Sequence, residues 1–231
     1  RERRLASEVP AATGVASLPA TPDEQADYEG FRAFVNGIEE KATTAAGDSE
    51  TGQAIVGLAG NLWAAAEELS GQKDPEAMPM AWRAAQCYAG LLGVPEGMVF
   101  VPPGKVPDAS GAEVWVDGFF MDRTEVTNAE FTEFCQSREW RLPPYRSAIS
   151  PSGQSLSAFL SQDDFPVTLV TFFDAQAYAA ASGKSVPTFA QWLRATVGLD
   201  GAYHAFPWGD SPQVGASNVA DGGGSAGGVG P

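Results

Sequence analysis

The sequence predicts an α+β fold in which a small α-helical region precedes an irregular, loop-rich domain, and three observations predict it. Apolar residues recur at helical spacing from residue 23 to residue 93. Short β-rich runs between glycine and proline turns begin at residue 97. Three capping boxes then mark helix starts. We therefore expect a linker at 1–22, a helical segment at 23–95 and a second domain at 97–231.

Composition excludes several classes of function. Hydrophobic residues make up 44% of the 231 residues, which is enough for a core. The formal net charge of −15 repels phosphate backbones and anionic lipid, so we expect no nucleic-acid partner. One histidine and two cysteines exclude multi-histidine metal sites and four-cysteine zinc sites within the chain. No apolar run approaches 18 residues, so we expect no membrane insertion within this chain.

The N-terminal stretch is interpreted as a linker in a chain cut from a longer protein. Residues 1–22 contain three prolines and no periodic pattern. The chain begins with Arg1 rather than methionine, and no signal-peptide core follows. The basic start, Arg1–Arg4, fits the tail of an upstream helix, a membrane-flanking segment or a frayed end.

Three amphipathic helices are predicted between residues 23 and 93, with turns near Gly47 and Gly71 and an end at Gly93. None of their apolar stripes carries a cluster of acids, bases or metal ligands, so we interpret this segment as a packing or spacing element. The stripes are Phe31, Phe34, Val35 and Ile38, then Ile55, Leu58, Leu62, Ala65 and Leu69, and finally Met80, Ala84, Cys87, Tyr88 and Leu91.

The second domain is predicted to mix short strands with capped helices. The runs 97–101, 113–117 and 118–122 have strand character. The helix starts have a hydroxyl at the N-cap and a carboxylate or amide three residues later, namely Thr127 with Glu130, Thr171 with Asp174, and Thr188 with Gln191. On the third helix, the spacing of Phe189 and Trp192 leads us to expect both side chains in the core.

The motifs from residue 97 onward occur in an order that resembles the formylglycine-generating enzyme (sulfatase-modifying factor) family. Each motif is weak alone, but the series is specific to that family, although not to one function within it. The motifs are Met98–Gly104, Phe119–Asn128, Pro166–Val170, Asp174–Tyr178, Gly183–Trp192, Phe206–Asp210 and Ser217–Val219, followed by Gly228–Gly230.

The resemblance implies an irregular C-type-lectin-like fold that is incomplete in this chain. It also implies that the second half of the family domain, with the cysteine pair that binds copper in catalytic members, is missing. The third helix departs from the family pattern, because Ser185, Phe189, Gln191 and Leu193 replace one basic and three acidic residues. We expect Phe189 and Leu193 to pack where carboxylates lie in the family, which weakens the case for a catalytic scaffold.

Single reactive residues are interpreted as structural. Cys135 shares an apolar helix face with Phe131 and Phe134, and Cys87 lies on a similar face. We therefore expect both cysteines to be buried. The sequence does not decide whether they form a disulfide with each other. His204 is expected to be a surface or loop residue. The indoles of Trp115 and Trp208 could stack on a ligand, but Trp208 is expected to anchor its loop to the core.

The loop after residue 216 contains the candidate metal site. Asn218, the backbone carbonyl of Val219, and Asp221 offer amide, carbonyl and carboxylate oxygens, which Ca²⁺ prefers. The resemblance implies a structural Ca²⁺ site in this loop, whereas an ordinary Asx turn is the alternative. Copper is expected only if the missing half supplies the cysteine pair.

These observations predict a fragment of an acidic, bacterial-type multidomain protein, with no catalytic residue assigned. We expect a non-catalytic module that binds a protein, peptide or other ligand, in a parent protein with an upstream kinase or membrane anchor. The alternative is a formylglycine-generating oxidase that converts a sulfatase cysteine with copper and oxygen. The compartment stays open, with a soluble extracytoplasmic domain as one option.

Overall fold

The structure, a computed structural model, describes residues 28–141, 162–199, 201–202, 204–206 and 209–211. The described residues form two compact units. The first unit contains residues 28–123 and the described part of 187–206. The second contains 124–141, 162–186 and 209–211. The predicted linker at 1–22 lies outside the described residues, and the predicted domain boundaries stay a prediction.

The three predicted N-terminal helices are confirmed as α1 (Tyr28–Ala46), α2 (Glu50–Gly71) and α3 (Ala77–Leu92). Ser49 begins α2 by accepting a hydrogen bond from the amide of Gly52. The core between the helices consists mainly of small side chains, which allow the helix backbones to approach closely, and of a few large ones. The buried set includes Phe31, Val35, Ala42, Ile55, Ala59, Leu62, Ala66, Ala81, Ala84 and Tyr88.

The C-terminal half of α3 is buried on every side, because all residues from 84 to 90 have less than a tenth of their surface exposed. Around them lie the other two helices and the first strands. A Cβ at Gly90 would overlap the ring of Phe100, and the side chain of Gln86 accepts a hydrogen bond of 3.0 Å from the Gly118 amide. These contacts join the helical segment to the strands within one hydrophobic core.

Four short strands in the described residues form two antiparallel pairs, and in sequence one pair lies between the two strands of the other. The outer pair is β1 (Met98–Val101) with β4 (Phe119–Asp122), and Met98 lies opposite Asp122. The inner pair is the hairpin of β2 (Gly104–Pro107) and β3 (Glu113–Val116). The predicted strands are therefore confirmed, and β2 is an additional strand that the sequence pattern did not indicate.

The described part of the second unit contains two helices with capping boxes, α4 (Asn128–Ser137) and α5 (Phe172–Ala181). Its core consists of Phe131, Phe134 and Cys135, against which Tyr178 packs. The segment before α5 pairs with the start of α4 through a bridge between Thr127 and Pro166. The predicted caps at both helix starts are confirmed.

Helix α6 (Phe189–Thr196) also has its predicted capping box and packs on the β2–β3 hairpin in the first unit. Arg194 fastens it there, although arginine is rarely buried. Its Nε donates to the Pro102 carbonyl (3.0 Å), and its Nη1 donates to the carbonyls of Val197 (3.2 Å) and Gly198 (3.3 Å). Only 3% of this residue is exposed. The charge is thus stabilised by backbone carbonyls at the end of its own helix and beside β2.

No helix among the described residues is both long enough and apolar enough to span a bilayer.

Candidate functional site

The two cysteines of the chain are buried, as the sequence predicts for apolar helix faces. Cys87 lies in α3 with no exposed surface, and burial raises the pKa of its thiol to about 12, although the charge of Arg194 acts in the opposite direction. Cys135 lies in the small core of the second unit. Because nucleophilic attack needs an accessible thiolate, the burial of both cysteines does not fit that role.

The remaining sequence-predicted candidates are only partly described. His204 is exposed, in agreement with the predicted surface position. The calcium candidates Asn218, Val219 and Asp221, together with Trp208, lie outside the described residues. Within the described parts of the chain, no group of three or more His, Cys, Asp or Glu side chains could hold a metal ion.

The ring of Trp115 is not available for a ligand, because two cationic side chains already lie against it. The guanidinium carbon of Arg83 lies 4.3 Å from the ring centroid, and the Lys105 ammonium lies 5.6 Å from it. Arg83 also lies beside Asp117, with 3.7 Å between Nε and Oδ1. Burial lowers the pKa of Arg83, while the Asp117 carboxylate opposes this shift. The arrangement joins α3 to β3 and is structural.

The expected inward orientation of Trp192 and Phe189 is wrong. Phe189 is 68% exposed and Trp192 is 54% exposed, and their rings stack with centroids 6.4 Å apart and an interplanar angle of 14°. The opposite side of α6 is the one that packs, through Arg194 and the neighbouring Val197. We call Phe189 and Trp192 the α6 surface. An exposed aromatic pair of this kind is typical of a contact surface for another molecule.

A second exposed apolar patch lies at the start of α5, in the other unit. It comprises Trp140 (38% exposed), Leu169 (39%), Phe172 (61%) and Phe173 (74%), which we call the α5 surface. The rings of Phe172 and Phe173 contact each other edge to face, with centroids 6.1 Å apart. One member of the patch, Trp140, is held by a hydrogen bond to Asp174.

Asp174 fixes both the helix start and the indole of Trp140. Its carboxylate accepts hydrogen bonds from the Thr171 amide (2.8 Å), the Thr171 hydroxyl (2.7 Å) and Trp140 Nε1 (3.0 Å). Burial by itself would raise the pKa of Asp174, but these hydrogen bonds outweigh it and hold the pKa below its usual value. The carboxylate is therefore ionised at neutral pH and retains all three bonds.

Leu169 has a backbone conformation that a leucine rarely adopts. Its φ is +58°, in the left-handed region, where a side chain costs roughly 1–3 kcal/mol. Val167 and Val170 pack on the core on either side of it, while Leu169 is exposed. Sequence reasoning missed this surface, because the hydroxyl and carboxylate of the capping box identify a helix start but not the direction of the aromatic residues beside it.

Comparisons with known proteins agree with this architecture. Residues 93–226, more than half of the chain, match the family model described as the sulfatase-modifying factor enzyme 1-like domain. The protein YfmG of Bacillus subtilis is 32% identical over 143 residues, which are 50% of this chain and 28% of YfmG. A hercynine oxygenase of Mycolicibacterium smegmatis is 31% identical over 126 residues, which are 45% of this chain and 29% of the oxygenase.

A mouse formylglycine-generating enzyme is 29% identical over 150 residues, which are 49% of this chain and 40% of the enzyme. The matched part thus spans between about a quarter and two fifths of these three relatives. The matching family model covers all of the described strands and the three capped helices of the second part of the chain. The chain therefore belongs to the family of sulfatase-modifying factor enzyme 1-like domains.

Proposed function

We propose that this chain is a non-catalytic binding module of its family that presents exposed aromatic side chains to a protein or peptide. The stacked Phe189–Trp192 pair of the α6 surface carries the proposal, because more than half of each side chain faces solvent on a helix whose other side is fastened to the fold. Rigid aromatic side chains supply a large contact area and lose little conformational entropy when a partner binds.

The position of both surfaces on capped helices supports the same function. The α5 surface lies at a helix start fixed by Thr171 and Asp174, and the α6 surface follows the cap formed by Thr188 and Gln191. The backbone that carries these side chains is fixed before a partner arrives, so binding costs less entropy. We also propose that the domain has an irregular C-type-lectin-like fold. In this proposal a structural Ca²⁺ is bound by Asn218, Val219 and Asp221.

A peptide-display selection tests the binding module. The folded chain is immobilised, and a random peptide library is selected on it in parallel with a variant in which Phe172, Phe173, Phe189 and Trp192 are all replaced by serine. We expect selected peptides to bind the wild-type chain and not the variant, with both proteins giving the same far-ultraviolet circular dichroism. Peptides that bind both proteins equally would contradict the proposal.

The second candidate function is that of a formylglycine-generating oxidase, which the match to the mouse enzyme favours. This activity requires an accessible cysteine pair, and the two cysteines of this chain are buried on separate helices. The test is incubation of the chain with Cu(I), oxygen and a cysteine-containing sulfatase peptide, followed by mass spectrometry. We expect no aldehyde above the control without protein, and a clear aldehyde product would favour the oxidase.

A further inference from the structure

The α5 surface combines exposed apolar side chains with a fixed framework. Trp140 is held by the Asp174 carboxylate at 3.0 Å, and its ring packs on the buried Phe134 with centroids 5.8 Å apart. The adjacent Phe172 and Phe173 are among the most exposed large apolar residues in the described parts of the chain. A fixed apolar surface of this kind can bind a partner with little rearrangement.

The backbone conformation of Leu169 is a second, independent observation at this surface. Its left-handed φ of +58° is unfavourable for leucine, and glycine would adopt it without strain. Such strained positions cluster at ligand-binding and other functional sites. Here the conformation leaves Leu169 exposed beside the start of α5 while its neighbour Val170 packs inward. The strain is thus associated with an exposed apolar side chain at the same surface.

The net charge of the chain and of the second unit indicates the kind of partner. The whole chain carries a net charge of −15, which disfavours nucleic acid and anionic membranes. In the described part of the second unit, acidic side chains also outnumber basic ones. The acids are Glu125, Glu130, Glu133, Glu139, Asp163, Asp164, Asp174 and Asp210, and the bases are Arg138, Arg141 and Lys184. A partner with positive charge therefore complements this unit.

We infer that the α5 surface docks a cationic polypeptide segment with large apolar side chains, an inference that rests on the proposed function. The apolar side chains of that segment contact Phe172, Phe173 and Leu169. Its lysine and arginine side chains are attracted by the net negative charge of the chain, which accelerates association. Apolar contacts at the centre with charges at the rim are the usual arrangement of a protein interface.

Three short fluorescent peptides of equal length serve as probes, and binding to the full chain is measured by fluorescence anisotropy. The first contains lysine and leucine, the second glutamate and leucine, and the third lysine and serine. We expect the lysine–leucine peptide to bind most tightly and its affinity to fall as salt is added. The other two peptides separate the contribution of charge from that of apolar contact.

Two matched double variants locate the binding site. Phe172→Ser with Phe173→Ser should weaken binding of the lysine–leucine peptide about tenfold or more, the effect of removing central aromatic contacts. Val94→Ser with Val114→Ser removes two exposed apolar side chains of the other unit and should leave binding unchanged. Circular dichroism and the melting temperature show that both variants are folded.

Several outcomes would overturn the inference. Equal binding of the glutamate–leucine peptide would exclude charge complementarity, and equal binding of the lysine–serine peptide would exclude apolar anchoring. Equal effects of both double variants, or no effect of either, would show nonspecific attraction to an acidic protein. Weaker binding in a further variant with Phe189→Ser and Trp192→Ser, but not in the Phe172→Ser and Phe173→Ser variant, would overturn the inference and leave the proposed binding function intact. Binding to anionic phosphatidylserine vesicles instead of the peptide would also overturn it.

Discussion

The contact between Gly104 and Arg194 allows a sharp test of how α6 is attached to the first unit. A Cβ at Gly104 would lie 2.8 Å from Arg194 Cζ and still closer to Nε, which is nearer than real Cβ atoms approach other atoms. Substitution of Gly104 by alanine must therefore displace the guanidinium. The three hydrogen bonds that this group donates to Pro102, Val197 and Gly198 would be lost or distorted.

The expected cost follows from what those bonds do. A hydrogen bond to a charged group contributes about 1.5–3 kcal/mol, and the contributions of one group are not additive. Leaving a buried charge without its partners costs about 3–5 kcal/mol. We therefore expect Gly104→Ala to lower the free energy of unfolding by about 3–5 kcal/mol. Gly57→Ala is the matched control, because a Cβ there meets nothing within 4 Å, and it should stabilise α2 by about 0.5–1 kcal/mol.

A double-mutant cycle isolates the contact itself. The free energy of unfolding is measured in urea by circular dichroism for the wild type, Gly104→Ala, Arg194→Met and the double variant. Without the guanidinium, the alanine methyl has room, so Gly104→Ala should cost less than about 1 kcal/mol in the Arg194→Met background. The coupling energy should then be about 2 kcal/mol or more. Equal costs in both backgrounds, or a Gly104→Ala variant as stable as the control, would refute the reasoning.

Trp192, Asp174 and the loop after residue 216 each allow a further test. Trp192→Ser should change the free energy of unfolding in urea by less than about 1 kcal/mol, whereas Phe131→Ala should lower it by about 3–5 kcal/mol. The pKa of Asp174 is lowered in the folded protein, so its carboxylate stabilises the fold above the ordinary pKa of about 3.9. This stabilisation is lost as pH falls through the folded pKa. The melting temperature of Asp174→Asn should therefore decrease less steeply with falling pH than that of the wild type. Ca²⁺ should raise the melting temperature while Mg²⁺ does not, and the rise should vanish in Asn218→Ala with Asp221→Ala; an equal rise in that variant would indicate charge screening.

Local patterns in the sequence predict local structure well in this chain. Each capping box involves two side chains three residues apart, so Thr127 with Glu130 or Thr171 with Asp174 can be identified without knowing the fold. The same holds for the apolar stripe of α1, where Phe31 and Val35 are buried as their spacing predicts. Such features depend on neighbours within one or two helical turns.

The predictions that failed concern the orientation of helix α6 and the pairing of strand β2. Helical period shows that Phe189 and Trp192 share a face, but it does not show which face of α6 packs. The buried face is the one with Arg194, because its guanidinium reaches three backbone carbonyls, one of them 92 residues earlier in the chain. Strand β2 was missed for a related reason, since Gly104–Pro107 becomes a strand only through its pairing with β3.

The long separation between Arg194 and Pro102 also sets an order of events during synthesis. A ribosome adds about 5–20 residues per second, so the 92 residues between these partners take on the order of 5–20 s to translate. Helices α1 to α3 and both strand pairs have emerged by then, but the side of the β2–β3 hairpin that receives α6 is still uncovered. During this interval a nascent chain exposes that side of the hairpin to chaperones and to neighbouring chains on the same messenger RNA.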